Sequence, residues 1–337
     1  LAWRDREPSV GEYPRGLEVT WVEHAAQNEG LFFADGAPEN LERDPTRALW
    51  ALPAMASMLG AAWNLAPWAD LIIGHWLVPS GLLARTLGEL FDKPSLVIGH
   101  SGGVHALASL PRPFGRVLAE FVSSGATSLT TEPLRQKLAR ITSADHVRVL
   151  PMGFHPVPTP TVDERPLEAV AMGRLVPIKN TELAIQAAML SESCAHLHIL
   201  GDGPERRRLE DLADPSRVTF HGVLRGGAKA EILSRCRVSL FPSIIQQDRH
   251  EGLPVSLLEC AHAGATPIVG EVPGSEGLLF SQLQRPEMTP EGWAQSIDTL
   301  IELDRSDEAR ALVEPFTWAV LGPIWTEWIG AVTQTSW

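Results

Sequence analysis

Two glutamates eight positions apart, Glu251 and Glu259, carry the densest chemical pattern in this chain of 337 residues. Glu251 follows the apolar run Val238-Ser239-Leu240-Phe241, and Glu259 lies past Gly252 and Pro254. Pro254 suits the first position of a helix, where its fixed φ fits and its missing N–H loses nothing. Gly264 reads as the C-terminal stop of the same helix. A helix beginning there sets Glu259 about 7.5 Å further along the axis, at ~1.5 Å per residue. The two carboxylates then reach different parts of one ligand instead of sharing a proton. Backbone N–H groups across Gly252, Leu253, Pro254 and Val255 face the same space, a ready place for a phosphate. By itself, the spacing is better read as a surface glutamate and a half-exposed helical glutamate.

A cationic turn precedes this pair. Gly173-Arg174-Leu175-Val176-Pro177-Ile178-Lys179-Asn180 leaves an apolar strand candidate and enters a helix over Glu182 to Met189, with Asn180 or Thr181 as its cap. Arg174 can fork two phosphate oxygens and Lys179 supplies a point charge, which suits a diphosphate. The bland alternative is two solvated loop cations. Leu200-Gly201-Asp202-Gly203-Pro204-Glu205 ends another strand candidate in a turn that brings backbone close to a ligand. Asp202 belongs to no Asp-x-Asp pair, so no divalent metal is expected. His75 and His100 each end a short apolar run, where ligands of open α/β sheets bind. A histidine in that place is otherwise a hydrogen-bonded structural residue.

The elements that must position these groups alternate. Strands are expected at Leu17 to Val22, Leu71 to His75, Leu96 to His100, Thr127 to Thr131 and Val147 to Leu150. Leu1 to Asp5 reads as the tail of a strand, and Arg47 to Trp63 as a buried helix. After the proline-rich stretch from Gly153 to Pro166, strands follow near Ala169 to Met172, His196 to Leu200, Val218 to His221, Val238 to Phe241 and Pro267 to Val269. Strands alternating with helices predict an α/β chain with parallel, doubly wound sheets. The length suits two domains, and an apolar fraction of 44% fills two cores.

Formal charge is −13, and 13 of the 28 basic and 16 of the 41 acidic residues precede residue 160, so the first part carries −3 and the rest −10. That balance repels a nucleic-acid backbone. Arg112 and Arg116 beside Glu120 read as a solvated face. Cys194, Cys236 and Cys260 sit far apart in apolar segments, as buried thiols of a reducing compartment do. The closest approach to a membrane span, Ala48 to Trp63, is interrupted by Pro53, Ser57 and Gly60. With no signal peptide in view, the expected location is cytoplasmic, at most peripheral at the inner membrane face.

In spacing and order these motifs resemble the retaining glycosyltransferases of family 4. Their signature is a glutamate, seven residues and a second glutamate. The resemblance extends to Gly173-Arg174-Leu175 with Lys179-Asn180, to Gly201-Asp202-Gly203-Pro204 and to Phe220-His221-Gly222. Looser matches are His75-Trp76-Leu77-Val78-Pro79-Ser80-Gly81, the turn from Ile98 to His105, Pro151-Met152-Gly153 and Phe316-Thr317-Trp318. The resemblance implies a GT-B fold, two Rossmann-like doubly wound domains facing across a cleft. Their implied extents are residues 1–155 and 167–313, with a helix over 316–335 crossing back to the first domain.

The resemblance also implies roles. Glu251 bonds the donor hexose and Glu259 the ribose, while Arg174 and Lys179 grip the diphosphate beside Gly252, Leu253, Pro254 and Val255. Gly173, Gly201 and Gly203 approach the nucleotide. His100 lies near the donor sugar and the acceptor hydroxyl; His75 is structural or on the acceptor side. Two departures stand out. Gly103 replaces an aspartate common in the family, and Phe154-His155 replaces another. The implied reaction moves a hexose from a nucleoside-diphosphate sugar to a hydroxyl acceptor (glycan, glycolipid or small molecule) with retention and without a cofactor. An epimerase or phosphorylase of the same fold, or a degenerate nucleotide-binding module, are the alternatives. The family's first strand and glycine-rich loop have no counterpart before Arg47, which predicts an N-terminal domain lacking both.

Overall fold

The computed structural model describes residues 2–3, 17–22, 44–158, 165–246, 249–279 and 281–334. Strands β1 (Ala2–Trp3) and β2 (Trp21–Val22) pair in parallel, apart from the larger sheets. Helix α1 (Ala51–Leu65) follows. Strands β3 (Ile72–His75), β4 (Ser95–Gly99), β5 (Thr127–Leu129) and β6 (Arg148–Val149) then form a parallel sheet in that order. Between them run α2 (Leu82–Phe91), α3 (Ser101–Ser109), α4 (Arg112–Ser123) and α5 (Glu132–Ala139). Every residue of β4 is buried, as an apolar strand covered on both faces must be.

The second sheet has the order β11-β10-β7-β8-β9, all parallel. Its strands are β7 (Glu168–Met172), β8 (His196–Leu200), β9 (Val218–Gly222), β10 (Cys236–Phe241) and β11 (Thr266–Val269). The connecting helices are α6 (Thr181–Leu190), α7 (Arg206–Leu212), α8 (Gly226–Arg235) and α9 (Val255–His262), followed by α10 (Pro290–Leu303), α11 (Ser306–Val313) and α12 (Trp318–Gln334). Alternate residues of β7 feed opposite cores. Ala169 and Ala171 pack with Leu197, Ile199 and Trp293, while Val170 packs with Leu200, Leu257 and Phe241. That split is the period-two signature of a doubly wound sheet. Cys194, Cys236 and Cys260 are buried free thiols, as expected.

Helix α12 joins the first sheet. Leu321, Trp325 and Trp328 pack with Leu96 and Ile98 of β4, and the Trp325 indole N–H donates to the Pro151 carbonyl at 3.1 Å. A Cβ at Gly153 would come within 2.6 Å of the Trp318 ring, so the Pro151-Met152-Gly153 turn is a seat for this helix.

Several expectations need correction. The apolar segment from Arg47 to Trp63 is helical but not buried. In α1 only Ala54 and Met58 are fully buried, and Leu52 and Trp63 are exposed. Apolar composition marks what a helix prefers to bury, and here, among the described residues, α1 packs through Met58 with Val22 and Leu83 and through the Trp63 ring with Phe91. The helical run Pro45–Trp68 is also long and apolar enough, by length and composition, to cross a membrane, which the interrupted pattern did not suggest. The strand expected over Leu17 to Val22 is confined to β2. The stretch before Arg47, which holds no glycine pair, lies for the most part outside the described residues, as do linker residues 159–164 and residue 335 at the helix end.

Candidate active site

Three turns at the C-terminal ends of β7, β8 and β9 are laced together. Gly173 N–H donates to Leu200, Gly201 N–H to Gly222, and Leu175 N–H to Asp202, at 2.8–2.9 Å. Gly201 sits at φ 140°, and a Cβ there would lie 1.8 Å from the Gly173 carbonyl oxygen. At Gly203 a Cβ would lie 2.4 Å from the Leu175 carbonyl. These glycines are required by contact of backbone with backbone, which fixes the turn carrying Arg174. Asp202 is exposed and accepts from its neighbour Gly203, with Arg206 at 3.6 Å.

Lys179 stands at the other end of that turn, and the structure brings it straight to Glu251, forming an ion pair with Oε1. Oε2 of Glu251 accepts from the Ser243 hydroxyl at 2.7 Å. A hydrogen bond of 3.0 Å from Ile244 N–H to the Ile178 carbonyl ties the two loops beside this pair. Glu259 has its own lysine: Lys229 of α8 donates to Oε1 at 2.7 Å. Both pairs are less than a fifth exposed. Each glutamate is therefore oriented and charge-compensated. Arg174 is exposed on the rim, beside a crevice lined by Gly173, Leu175, Lys179, Phe241 and Ser243.

Helix α9 starts one residue later than expected. Pro254 is its extended N-cap (ψ 130°) and Val255 its first residue. Glu259 accordingly sits about 6 Å along the axis from the helix start. Gly264 takes φ 97° after the last turn. Its N–H bonds Ala261 and that of Ala265 bonds Cys260, the paired closure of a Schellman motif. Pro254 has no N–H to offer, so the candidate phosphate donors are Gly252, Leu253 and Val255. Asn180 holds the N-cap position of α6 at φ 48°, yet neither it nor Thr181 makes a side-chain cap bond.

Across from this loop lies the rim of the first sheet. A Cβ at Gly252 would be 3.9 Å from that of Ser101, the first residue of α3. His100, just before it, meets His75 (Nε2 to Nδ1, 3.3 Å) and the Trp76 ring. Burial, with His75 nearby, brings the His100 imidazole down to about 4, so it is neutral at pH 7 and serves as a hydrogen-bonding group rather than a proton donor. Gly103 has no room for a side chain: a Cβ would lie 2.8 Å from the Leu77 nitrogen. At this position the backbone packing leaves no place for an aspartate side chain.

His105 of α3 clasps the glutamate loop. The His250 N–H and the His105 Nε2 are 3.2 Å apart, and the two rings meet edge to face. Burial first, then Lys137 and His250, bring His105 to about 4. Sequence reasoning missed His105, Lys229 and Ser243. Lys229 lies on a helix without any motif, and Ser243 is one of many loop serines.

A second polar line runs inside the second sheet. Glu168 accepts from Arg235 and pairs with His198 Nε2 at 3.0 Å; His198 Nδ1 is 2.9 Å from His221 Nε2. Burial pushes Glu168 up, but bonds from Arg235 and His198 outweigh it and leave the carboxyl lowered. Among the described residues no group of three His, Cys, Asp or Glu side chains is placed to hold a metal ion. A cavity of about 330 Å³ lies elsewhere, lined by Gly125, Thr127, His146, Arg148 and Trp328. It opens at the N-terminal ends of β5 and β6, opposite the end where parallel sheets bind ligands.

Residues 166–303 match the family model described as "Glycosyl transferases group 1". HepE from Anabaena, solved with UDP and glucose, superposes with a TM-score of 0.67 at 16% identity, covering 89% of this chain and 90% of that one. The fold is GT-B. Sucrose-phosphate synthase from Thermosynechococcus elongatus gives 0.61 at 19% identity, covering 90% and 82%. The pneumococcal O-GlcNAc transferase GtfA, with UDP and GlcNAc, gives 0.61 at 16% identity, covering 79% and 57%. No curated protein matches the chain in sequence.

Proposed function

We infer that this GT-B chain is a retaining glycosyltransferase that moves a hexose from a UDP-sugar to a hydroxyl acceptor. The observation that carries the reading is the paired arrangement of Glu251 with Lys179 and Glu259 with Lys229, around the N-terminus of α9. Two carboxylates, each held by its own lysine, suit a ligand with two hydroxylated rings joined by a diphosphate. The UDP complexes of HepE and GtfA favour uracil as the base.

In this reading Glu251 orients the hexose and Glu259 the ribose. Lys179, Arg174 and the amides of Gly252, Leu253 and Val255 face the diphosphate, and their charge meets it without a divalent ion. As the C1–O bond breaks, its electrons pass to the β-phosphate oxygen, where preorganised cations stabilise them. The acceptor oxygen bonds C1 on the same face, and its proton passes to the departing phosphate. His100, neutral, positions hydroxyls. Lys179 then exchanges part of its contact with Glu251 for phosphate oxygen.

Calorimetry with UDP, GDP and ADP tests the donor side, and proton NMR of the product formed from a UDP-hexose tests the chemistry. UDP should bind best, and the product should keep the donor's anomeric configuration. A product of opposite configuration removes retention. Absence of binding by every nucleoside diphosphate removes the reading as a whole.

A further inference from the structure

At the end of β3 the backbone adopts a conformation that a bulky side chain rarely takes. Trp76 sits at φ 75° and ψ 139°. Strain of this kind persists only where the surroundings over-determine it, and it gathers at binding sites. Here it is pinned on both sides: the Trp76 N–H donates to Ile98 at 2.7 Å and its carbonyl accepts from Gly81 at 2.9 Å.

The result is an indole turned out of the core. Trp76 is 47% exposed. It rests on the first turn of α3, where a Cβ at Gly102 would meet its Cζ3 at 2.4 Å. His100 flanks it with ring centroids 5.5 Å apart. Ser101, next to Gly102, approaches Gly252, so the indole lies on the first sheet's side of the cleft, opposite the Glu251 loop. Among the described residues its partners are neutral, since burial lowers both His75 and His100 and Gly103 excludes a carboxylate.

A flat apolar surface edged by neutral imidazoles suits a particular ligand. The C–H face of a pyranose is apolar and slightly positive, which complements the negative face of an aromatic ring. Its equatorial hydroxyls reach the rim, where His75 and His100 give or accept hydrogen bonds. A charged acceptor would find no counter-charge in this cluster, and an acyclic alcohol would leave the indole uncovered.

We propose that Trp76 is the platform of an acceptor subsite that takes a pyranose ring, so that the acceptor is a saccharide; this rests on the glycosyltransferase reading above. The probes are methyl α- and β-pyranosides of glucose, galactose, mannose and N-acetylglucosamine, with sorbitol and N-acetylserine amide as alcohols without a ring. Binding to the full chain is followed by saturation-transfer NMR and calorimetry, with and without UDP. At least one pyranoside should bind, and Trp76→Ala should weaken it about tenfold or more, the scale of a lost stacking surface. Trp76→Phe should cost less, and Gly102→Ala, which displaces the indole, should also weaken the sugar. UDP affinity should hold within about twofold in all three, since none touches the diphosphate side. Should Trp76→Ala not fold, Trp76→Phe and Gly102→Ala carry the test. Pyranoside affinity unchanged in the variants, binding of no pyranoside by the wild type, or equal binding of the alcohols without a ring would each overturn the platform. Failure of UDP to bind counts against the glycosyltransferase reading alone, because the sugars are also titrated without nucleotide.

Discussion

The two rims of the cleft are built from different chemistry. On the second sheet, lysines and glutamates pair around Glu251 and Glu259, and three glycine turns lock the loop that bears Arg174. On the first sheet the rim is an exposed indole with two neutral histidines. The net charges run the other way, −3 before residue 160 and −10 after it. The half proposed to hold a diphosphate is therefore the more acidic one. Charges beyond the ~8 Å Debye length count for little at physiological salt, so the local lysines decide what the site prefers.

The sharpest way to break this contrast is to remove a lysine. Lys179→Ala should lower turnover of a UDP-sugar about 100- to 1,000-fold, the range for losing a preorganised donor to developing charge. Because Lys179 and Glu251 touch, the double variant with Glu251→Gln should fall no further than the worse single one. Additive losses in kcat/KM would show that the pair does not act as a unit. Gly201→Ala attacks the scaffold instead. Its Cβ would meet the Gly173 carbonyl at 1.8 Å and would demand φ 140° of an L residue. A stability loss of about 2–3 kcal/mol is expected in urea unfolding; a neutral substitution would mean that the turns are not interlocked.

Acid sharpens the comparison from the first sheet's side. His105 titrates near 4 in the fold against 6.5 when unfolded, so protons favour the unfolded chain. Its contribution is intact above the unfolded value, erodes as pH falls through 6.5 toward 4, and levels off below. By pH 5 this amounts to about 2 kcal/mol. In His105→Gln, which can still accept from His250, the drop in stability between pH 7.5 and 5 should shrink by about that amount. The smallest effect belongs to Glu259→Gln, where loss of one charged bond should weaken UDP about tenfold and leave pyranoside binding alone. Weakening of both ligands alike would place Glu259 in a structural role.

Much of the second sheet was legible because its chemistry is local in sequence. The strand ends at Met172, Leu200 and Gly222 fall beside their glycines, and Gly264 closes α9 by the left-handed geometry it alone tolerates cheaply. What stayed hidden needed a partner from far away. Lys229 and Glu259 are 30 positions apart, and His105 and His250 are 145 apart. No periodicity records such meetings. The exposure of α1 was hidden for a different reason. A hydrophobic pattern states which face seeks cover, whereas cover itself depends on how many elements arrive there. Trp76 was read as part of a motif, but only its φ shows that the indole is turned outward.

The fit of Gly201 over the Gly173 carbonyl has a consequence for how this pocket can change. Three turns that share backbone contacts form one module, and a substitution in one is read at once by the other two. Remodelling by small independent steps is closed to them. Altering the specificity of this chain by loop exchange would require transplanting all three turns together, along with the strand spacing that sets their contact.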